Sequence, residues 1–184
     1  MNGATIIVNA SASNETIGKD TYRKQLVSGQ SARLVCGYVY SSAGGGESTQ
    51  DIVFSAHNLI CENGSTLAEA HKFADESVYA DIDLERICSE RRRMSTYAVD
   101  ENSTYTEVQA QNFINKELEL IRYFDKAPFV PSDKKERDSR CEEILNIQSY
   151  GLKKRLEHTN CKNAVIGISG GLDSTLALLV TVRA

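Results

Sequence analysis

Ala164-Val165-Ile166-Gly167-Ile168-Ser169-Gly170-Gly171-Leu172-Asp173-Ser174-Thr175-Leu176-Ala177-Leu178-Leu179-Val180 runs from one apolar segment through small residues into a second apolar segment. The pattern predicts a buried strand over residues 164–168, a turn over 169–171 and a helix from Leu172. Such a turn gathers backbone N–H groups and the positive end of a helix dipole around one point, which makes an anion site. Gly170 and Gly171 permit close approach of a ligand, and Ser169, Ser174 and Thr175 offer hydroxyl donors. Asp173 is a carboxylate where a phosphate would be welcome. It makes chemical sense if it binds a Mg2+ that bridges phosphates.

Several readings of this loop compete. A Gly-x-x-x-x-Gly-Lys-Ser/Thr phosphate loop needs a lysine that the stretch lacks. Gly167-Ile168-Ser169-Gly170-Gly171 fits the Gly-x-Ser-x-Gly elbow of serine hydrolases, but that triad requires an acid and then a histidine after the serine. No histidine follows Ser169 in this chain. A glycine turn that merely reverses the chain is the plainest reading. The remaining one is a Ser-Gly-Gly-x-Asp-Ser phosphate loop.

Upstream of the loop, residues 140–158 predict a helix. Its apolar positions Cys141, Ile144, Leu145, Leu152 and Leu156 keep close to one helical face. Before it lies a connector with both prolines, Ala127-Pro128-Phe129-Val130-Pro131, running into charged residues 133–138. Proline fixes φ and removes a donor, so this stretch is expected to be extended and exposed. Between residues 95 and 108 the pattern weakens, and a domain boundary is expected there.

The first part of the chain is strand-like and glycine-rich. Residues 4–9 form a short β-branched run, followed by a polar loop over 10–18 and a helix over 20–33. Further strands are expected over 35–40, 52–56 and 78–83, with a short helix over 84–93. Gly44-Gly45-Gly46 marks a tight turn or a loop against a ligand. Leu59-Ile60-Cys61-Glu62-Asn63-Gly64-Ser65-Thr66-Leu67-Ala68 reads as a hairpin, because Asn-Gly supplies the positive φ angles of its turn.

Residues 169–175 match the signature of the ATP-pyrophosphatase (PP-loop) family without a departure, and the chain here resembles that family. The surrounding Pro128-Phe129-Val130-Pro131, Arg140-Cys141-Glu142-Glu143-Ile144 and Gly151-Leu152-Lys153-Lys154-Arg155-Leu156 narrow the resemblance to glutamine-dependent NAD+ synthetases. Residues 1–103 separately resemble the second half of a nitrilase-fold (CN hydrolase) glutaminase. The strand over 4–9, Ala10-Ser11-Ala12-Ser13, Gly18-Lys19, Gly37-Tyr38-Val39-Tyr40, Gly45-Gly46-Glu47, the hairpin and Ala80-Asp81-Ile82-Asp83 occur in that family's order.

The resemblance implies an α/β fold. Residues 1–103 would be part of an α-β-β-α sandwich, 104–139 a helical linker, and 140–184 the first strand–loop–helix of a doubly wound domain. The complete enzyme would release ammonia from glutamine and use ATP to amidate nicotinic acid adenine dinucleotide through an adenylate, freeing pyrophosphate and then AMP. Gly167, Ile168, Ser169, Gly170, Gly171, Leu172, Asp173, Ser174 and Thr175 would bind ATP, with Asp173 on Mg2+. The glutaminase Cys, Glu and Lys of the family precede the strand that opens this chain, so no catalytic residue is expected here and the piece alone is expected to be inactive. In the family a Ser after that strand and a basic residue six positions later contact the substrate amino acid. Ser13 and Lys19 match, although lysine presents a point charge where several members carry the bidentate fork of arginine. Two rivals remain: a nitrilase-fold amidohydrolase joined to another PP-loop ligase, and a non-catalytic remnant.

Composition agrees with ordinary globular domains. The chain has 184 residues, 41% hydrophobic and 25% charged, with net charge −4. Residues 1–103 carry nine basic and fourteen acidic groups, and residues 104–184 carry twelve and eleven. Bulk charge therefore argues against a nucleic-acid partner, and Arg91-Arg92-Arg93 reads as a solvated or salt-bridged helix face. No apolar run approaches membrane-spanning length and the N-terminus carries no secretory pattern, so a cytoplasmic setting is expected. The resemblance implies small-molecule substrates and a homo-oligomeric complete enzyme, and without a secretory pattern the Asn-x-Ser/Thr tripeptides at Asn9, Asn14, Asn63 and Asn102 read as accidental. Five cysteines, at 36, 61, 88, 141 and 161, have no metal-knuckle spacing and read as reduced, mostly buried structural thiols. Cys61-Glu62 imitates a nucleophile motif but falls in the hairpin. His57, His71 and His158 are scattered and read as surface or core residues.

Overall fold

A computed structural model of the chain describes residues 3–47, 51–98, 105–109 and 119–184. The chain divides into two compact units, Met1–Tyr123 and Phe124–Ala184. The boundary expected between residues 103 and 104 lies outside the described residues.

In the first unit, strand β1 (Ile6–Ser11) leads through helix α1 (Lys19–Leu34) to β2 (Gly37–Ser42). The hairpin β3 (Leu59–Glu62) and β4 (Ser65–Glu69) follows, then α2 (Leu84–Arg93). The sheet has the order β1-β2-β3-β4, with β1 parallel to β2 and the other pairs antiparallel. A parallel pair needs a crossover, and α1 supplies it. The hairpin turns at Asn63 (φ 43°) and Gly64 (φ 90°), the two left-handed residues its two-residue loop requires. A β-carbon on Gly64 would stand 3.1 Å from that of Ala32, so this position is also short of space.

Register divides the sheet into two faces. Tyr38 pairs with Cys61 and Tyr40 with Leu59, and this face meets Val27 of α1 to form the apolar core. The buried residues of α1 are Arg23, Val27 and Ser31, four apart along one face. Ser31 is small enough for the chain to turn beneath the helix, and its hydroxyl donates to the Cys36 carbonyl at 2.7 Å.

On the opposite face Gly37 pairs with Glu62, and a β-carbon on Gly37 would come within 2.9 Å of the Ile82 side chain. Glu62 is 4% exposed. It accepts from both terminal guanidinium nitrogens of Arg122, each at 2.7 Å, and from the Asp83 amide at 2.7 Å. Burial pushes the Glu62 carboxyl up, but the Arg122 and Asp83 hydrogen bonds outweigh it and hold the group below the ordinary carboxylate range. Residues 78–83, expected as a strand, therefore cross the face of the sheet instead of joining its edge. Their polar groups go to side chains: Arg122 Nη1 donates to the Asp81 carbonyl, and the Asp81 carboxylate accepts the amides of Ile121 and Arg122.

The strand expected over 52–56 is also absent. Isolated bonds hold that segment, Glu15 N to Val53 O at 2.6 Å and Ala56 N to Ala43 O at 2.9 Å, and Ala56 has a positive φ of 51° that no ladder accommodates. Strands β1 and β2 each lie two residues later than expected, whereas α2 spans the expected residues. Asp83 caps α2, accepting the Arg86 amide at 2.9 Å.

Arg91, in the run read as a solvated face, is instead a clamp. Its guanidinium donates to the carbonyls of Gly3, Ala4, Leu34 and Val35 and lies 5.0 Å from the Tyr97 ring centroid. It joins the start of β1 to the carbonyl end of α1, where a cation is favoured. Arg93 pairs with Glu90, as expected of the exposed part.

The second unit contains α3 (Lys134–Thr159) and α4 (Leu172–Arg183). Helix α3 begins six residues before the expected start, because Asp133 accepts the Glu136 amide at 2.8 Å and draws the charged stretch into the first turns. The proline connector is exposed as expected, but it forms a turn closed by Val130 N to Ala127 O at 3.0 Å. Ser149, buried on α3, donates to the Val180 carbonyl of α4 at 3.3 Å, and Arg183 pairs with Glu142. The strand expected over 164–168 does not form. Residues 161–169 have no regular structure, since the described residues of this unit offer them no ladder to join, and Val165 is fully exposed.

Two of the five thiols depart from expectation. Cys36 and Cys61 are buried, Cys88 is half-buried, and Cys141 and Cys161 are exposed. The expected inward face of α3 is correct at Leu145, Leu152 and Leu156, but its centre is Ser149, and Cys141 and Ile144 are exposed.

The Glu62–Arg122 pair generates a stability prediction. Arg122→Ala leaves a carboxylate buried beside one distant cation, Arg86 at 4.0 Å, and should destabilise the chain by about 3 kcal/mol in urea unfolding. Glu62 titrates lower folded than unfolded, so its contribution is complete above the ordinary carboxylate range and drains away as pH falls below it. Glu62→Gln should flatten that acid dependence. An unchanged pH profile would contradict the assignment.

Candidate functional sites

The first candidate lies on the loop between β1 and α1. A crevice of about 310 Å3 opens at the carboxyl ends of the parallel strands β1 and β2, lined by Ser11, Ala12, Ser41, Ser42 and Glu47 among others. Parallel strands present their ligand-binding loops at this end. Gly44-Gly45-Gly46 belongs to the turn beside it, where Gly45 N donates to Asp75 Oδ1 at 3.3 Å.

Ser13 on this loop and Lys19, the first residue of α1, are both half-buried, although neither is among the residues lining the crevice. The Lys19 ammonium folds back, donating to the Asn14 carbonyl at 2.6 Å and to Asn14 Oδ1 at 2.8 Å. Two acceptors thus hold the charge, and an incoming carboxylate would have to share or replace them.

Beneath the loop runs a polar network that no sequence pattern announced. The Glu15 carboxylate accepts from Arg23 at 2.9 Å and from Ser55 at 2.5 Å. Arg23 also reaches His57 Nδ1 at 3.0 Å, and His57 Nε2 meets Glu69 at 3.0 Å. Arg23 lies one helical turn after Lys19, so the i, i+4 spacing from a candidate ligand was the available signal. His57 is a core residue, one of the two places expected of it.

Cys61 has no catalytic setting. It is fully buried on β3, burial pushes its thiol up, and its neighbour Glu62 is committed to Arg122.

The second candidate is the loop leading into α4. Gly170 has φ 82°, a conformation that favours glycine, and Gly171 caps the helix. Thr175 N makes the first helical bond, to Gly171 O at 3.2 Å. The amides of Leu172, Asp173 and Ser174 consequently lie in the first turn without an intrahelical acceptor. The loop is folded on itself: Ser169 Oγ lies 3.2 Å from Ser174 Oγ, and the Ser174 and Thr175 hydroxyls donate to Gly171 O at 3.1 and 2.9 Å. Those hydroxyls must turn away to serve an anion. A β-carbon on Gly167 or Gly170 would meet nothing within 4 Å, and one on Gly171 would lie 3.4 Å from Ser169 Oγ.

Asp173 is exposed in the first turn of α4. Among the described residues no group of three or more His, Cys, Asp or Glu side chains could hold a metal. A single carboxylate beside an anion site fits Mg2+ held chiefly by phosphate oxygens, which is how that ion commonly binds nucleotides. Among the described residues no helix is long and apolar enough to cross a membrane.

No protein-family model matches the chain. Among curated proteins, glutamine-dependent NAD(+) synthetases from Mycobacterium leprae and Mycobacterium tuberculosis are 40% and 39% identical to it. Each match takes in 99% of this chain, which spans 28% of the length of either relative. Among solved structures, the glutamine-dependent NAD+ synthetase of Acinetobacter baumannii in complex with ADP overlays 97% of this chain and 26% of its own. That overlay has 20% identity and a TM-score of 0.39, so the sequence relationship carries the assignment. Over nearly its whole length, this chain is a relative of the glutamine-dependent NAD(+) synthetases, matching one segment of them.

Proposed function

We propose that the chain is a segment of an enzyme that amidates nicotinic acid adenine dinucleotide to NAD+, with ATP as activator and glutamine as nitrogen donor. Residues 1–103 form the later part of a nitrilase-fold glutaminase domain, 104–139 the linker, and 140–184 the opening of a PP-loop synthetase domain. The observation that carries this reading is the 39–40% identity across 99% of the chain, which takes in both the β1–α1 loop and the Ser169–Thr175 loop. A cytoplasmic, homo-oligomeric enzyme with small-molecule substrates, and neither nucleic-acid nor membrane partners, accompanies it.

In this reading residues 167–175 receive ATP. The first-turn amides of α4 and the positive end of its dipole face the phosphates, while Gly170 keeps the approach free of side chains. Bound Mg2+ would neutralise phosphate charge, and Asp173 would hold it. ATP activates the carboxylate as an adenylate with release of pyrophosphate, and ammonia then displaces AMP to give the amide. The β1–α1 loop holds the other substrate, with Ser13 and Lys19 contacting the amino-acid end of glutamine. None of the 184 residues is assigned the nucleophilic Cys, Glu base or oxyanion Lys role of the glutaminase, and the piece alone turns over neither substrate.

Two measurements on the complete synthetase test the two loops separately. Asp173→Asn should abolish ATP-dependent synthesis and leave glutamine hydrolysis measurable; unchanged synthesis would remove Asp173 from the site. Lys19→Ala should raise KM for glutamine by about tenfold, the equivalent of one lost charged contact, and leave ammonia-supported synthesis intact. An unaltered KM would remove Lys19 from the pocket.

A further inference from the structure

Glu15 lies two residues after Ser13 and four before Lys19, and its side chain turns inward, 8% exposed. Its partner Arg23 is 3% exposed. An arginine only donates, so the 3.0 Å contact of Arg23 Nη1 with His57 makes Nδ1 the acceptor and leaves the proton on Nε2, which donates to Glu69. Lys24 closes the far end on Glu69. The chain of contacts Ser55–Glu15–Arg23–His57–Glu69 therefore ties the β1–α1 loop to α1, to residues 55–57 and to β4.

This network is a costly way to gain stability. Two charges are taken from water, while among the described residues Arg23 Nε, Arg23 Nη2 and Glu15 Oε1 have no hydrogen-bond partner. Burial pushes the Glu15 carboxyl up, and Ser55 and Arg23 more than reverse that, so it stays ionised. Loops on a protein surface are ordinarily held by their own turns and by water. What a buried ion pair provides here is a single loop position, since an ionised Glu15 cannot leave Arg23 without stranding both charges.

We propose that Glu15 and Arg23 are positioning residues for the glutamine site, fixing the loop so that Ser13 and Lys19 face the substrate amino acid. The inference rests on the reading of Ser13 and Lys19 given above. Neither Glu15 nor Arg23 touches substrate. They act through the backbone on either side of Glu15, which is itself pinned by its amide to Val53 O at 2.6 Å.

The test uses the complete synthetase, assayed with glutamine and with ammonium chloride as alternative nitrogen sources. Glu15→Gln and Arg23→Lys should each raise KM for glutamine by about tenfold with kcat changed less than about threefold, and leave ammonia-supported synthesis unaltered. Ser55→Ala removes one bond to Glu15 without stranding a charge, and should raise KM by a smaller factor. It decides the matter if the charge variants fail to fold. Combining Glu15→Gln with Lys19→Ala should add little to Lys19→Ala alone, because both act on one contact.

A normal glutamine KM in Glu15→Gln and Ser55→Ala, in an enzyme that Lys19→Ala does impair, overturns the positioning role only. A normal KM in Lys19→Ala overturns the reading of the loop and this inference with it. Equal losses with glutamine and ammonia in all three network variants would mark the network as a general structural element and also overturn the proposal.

Discussion

Strand β3 is covered on both faces, and the arrangement of the first unit follows from that constraint. Leu59 and Cys61 lie against α1, while Ile60 and Glu62 point to the other face. Covering the first face requires α1 to cross from β1 to β2, which makes those strands parallel. Covering the second draws residues 78–83 and 121–122 across the sheet. Because Glu62 is part of that second face, the covering segment must bring a cation and an amide, and Arg122 and Asp83 provide them. A purely apolar covering would leave a buried carboxylate unpaired, at a cost of several kcal/mol.

Helices α1 and α3 and strand β3 each carry a polar residue on the inward side. On α1 these are Arg23 and Ser31, on β3 Glu62, and on α3 Ser149. Each meets a group outside its own element: Arg23 meets Glu15 and His57, Ser31 the Cys36 carbonyl, Glu62 Arg122, and Ser149 the Val180 carbonyl. Binary patterning registers such residues as outward-facing. That is why α3 reads as having an apolar seam through Cys141 when its contact with α4 centres on Ser149. It is also why Arg91 reads as one of three solvated arginines until four carbonyls are seen around it.

The two candidate sites differ in how far local chemistry specifies them. The loop into α4 is built almost entirely from its own residues: Gly170 supplies the left-handed backbone, Gly171 the cap, and Ser169, Ser174 and Thr175 the internal hydrogen bonds. Its motif was legible because nothing remote is needed to shape it. The β1–α1 loop is shaped from below, by residues up to 54 positions beyond Glu15. Ser13 and Lys19 were singled out through the family resemblance. The network beneath their loop was not legible, since periodicity and turn signals report only local neighbours.

Elements with local causes can be read from the residues alone: α1, the Asn63-Gly64 hairpin, α2 under its Asp83 cap and α4 behind its glycine turn. The sequence also carried the family relationship, through motifs that need no contacts to be read. Tertiary structure decided which extended segments became strands. Residues 52–56 and 78–83 have the apolar, β-branched character of strands, yet their backbones bond to single groups and side chains elsewhere. The physical reason is that a strand is completed by its neighbour. Composition can qualify a segment for a ladder, but only the fold supplies the edge it joins.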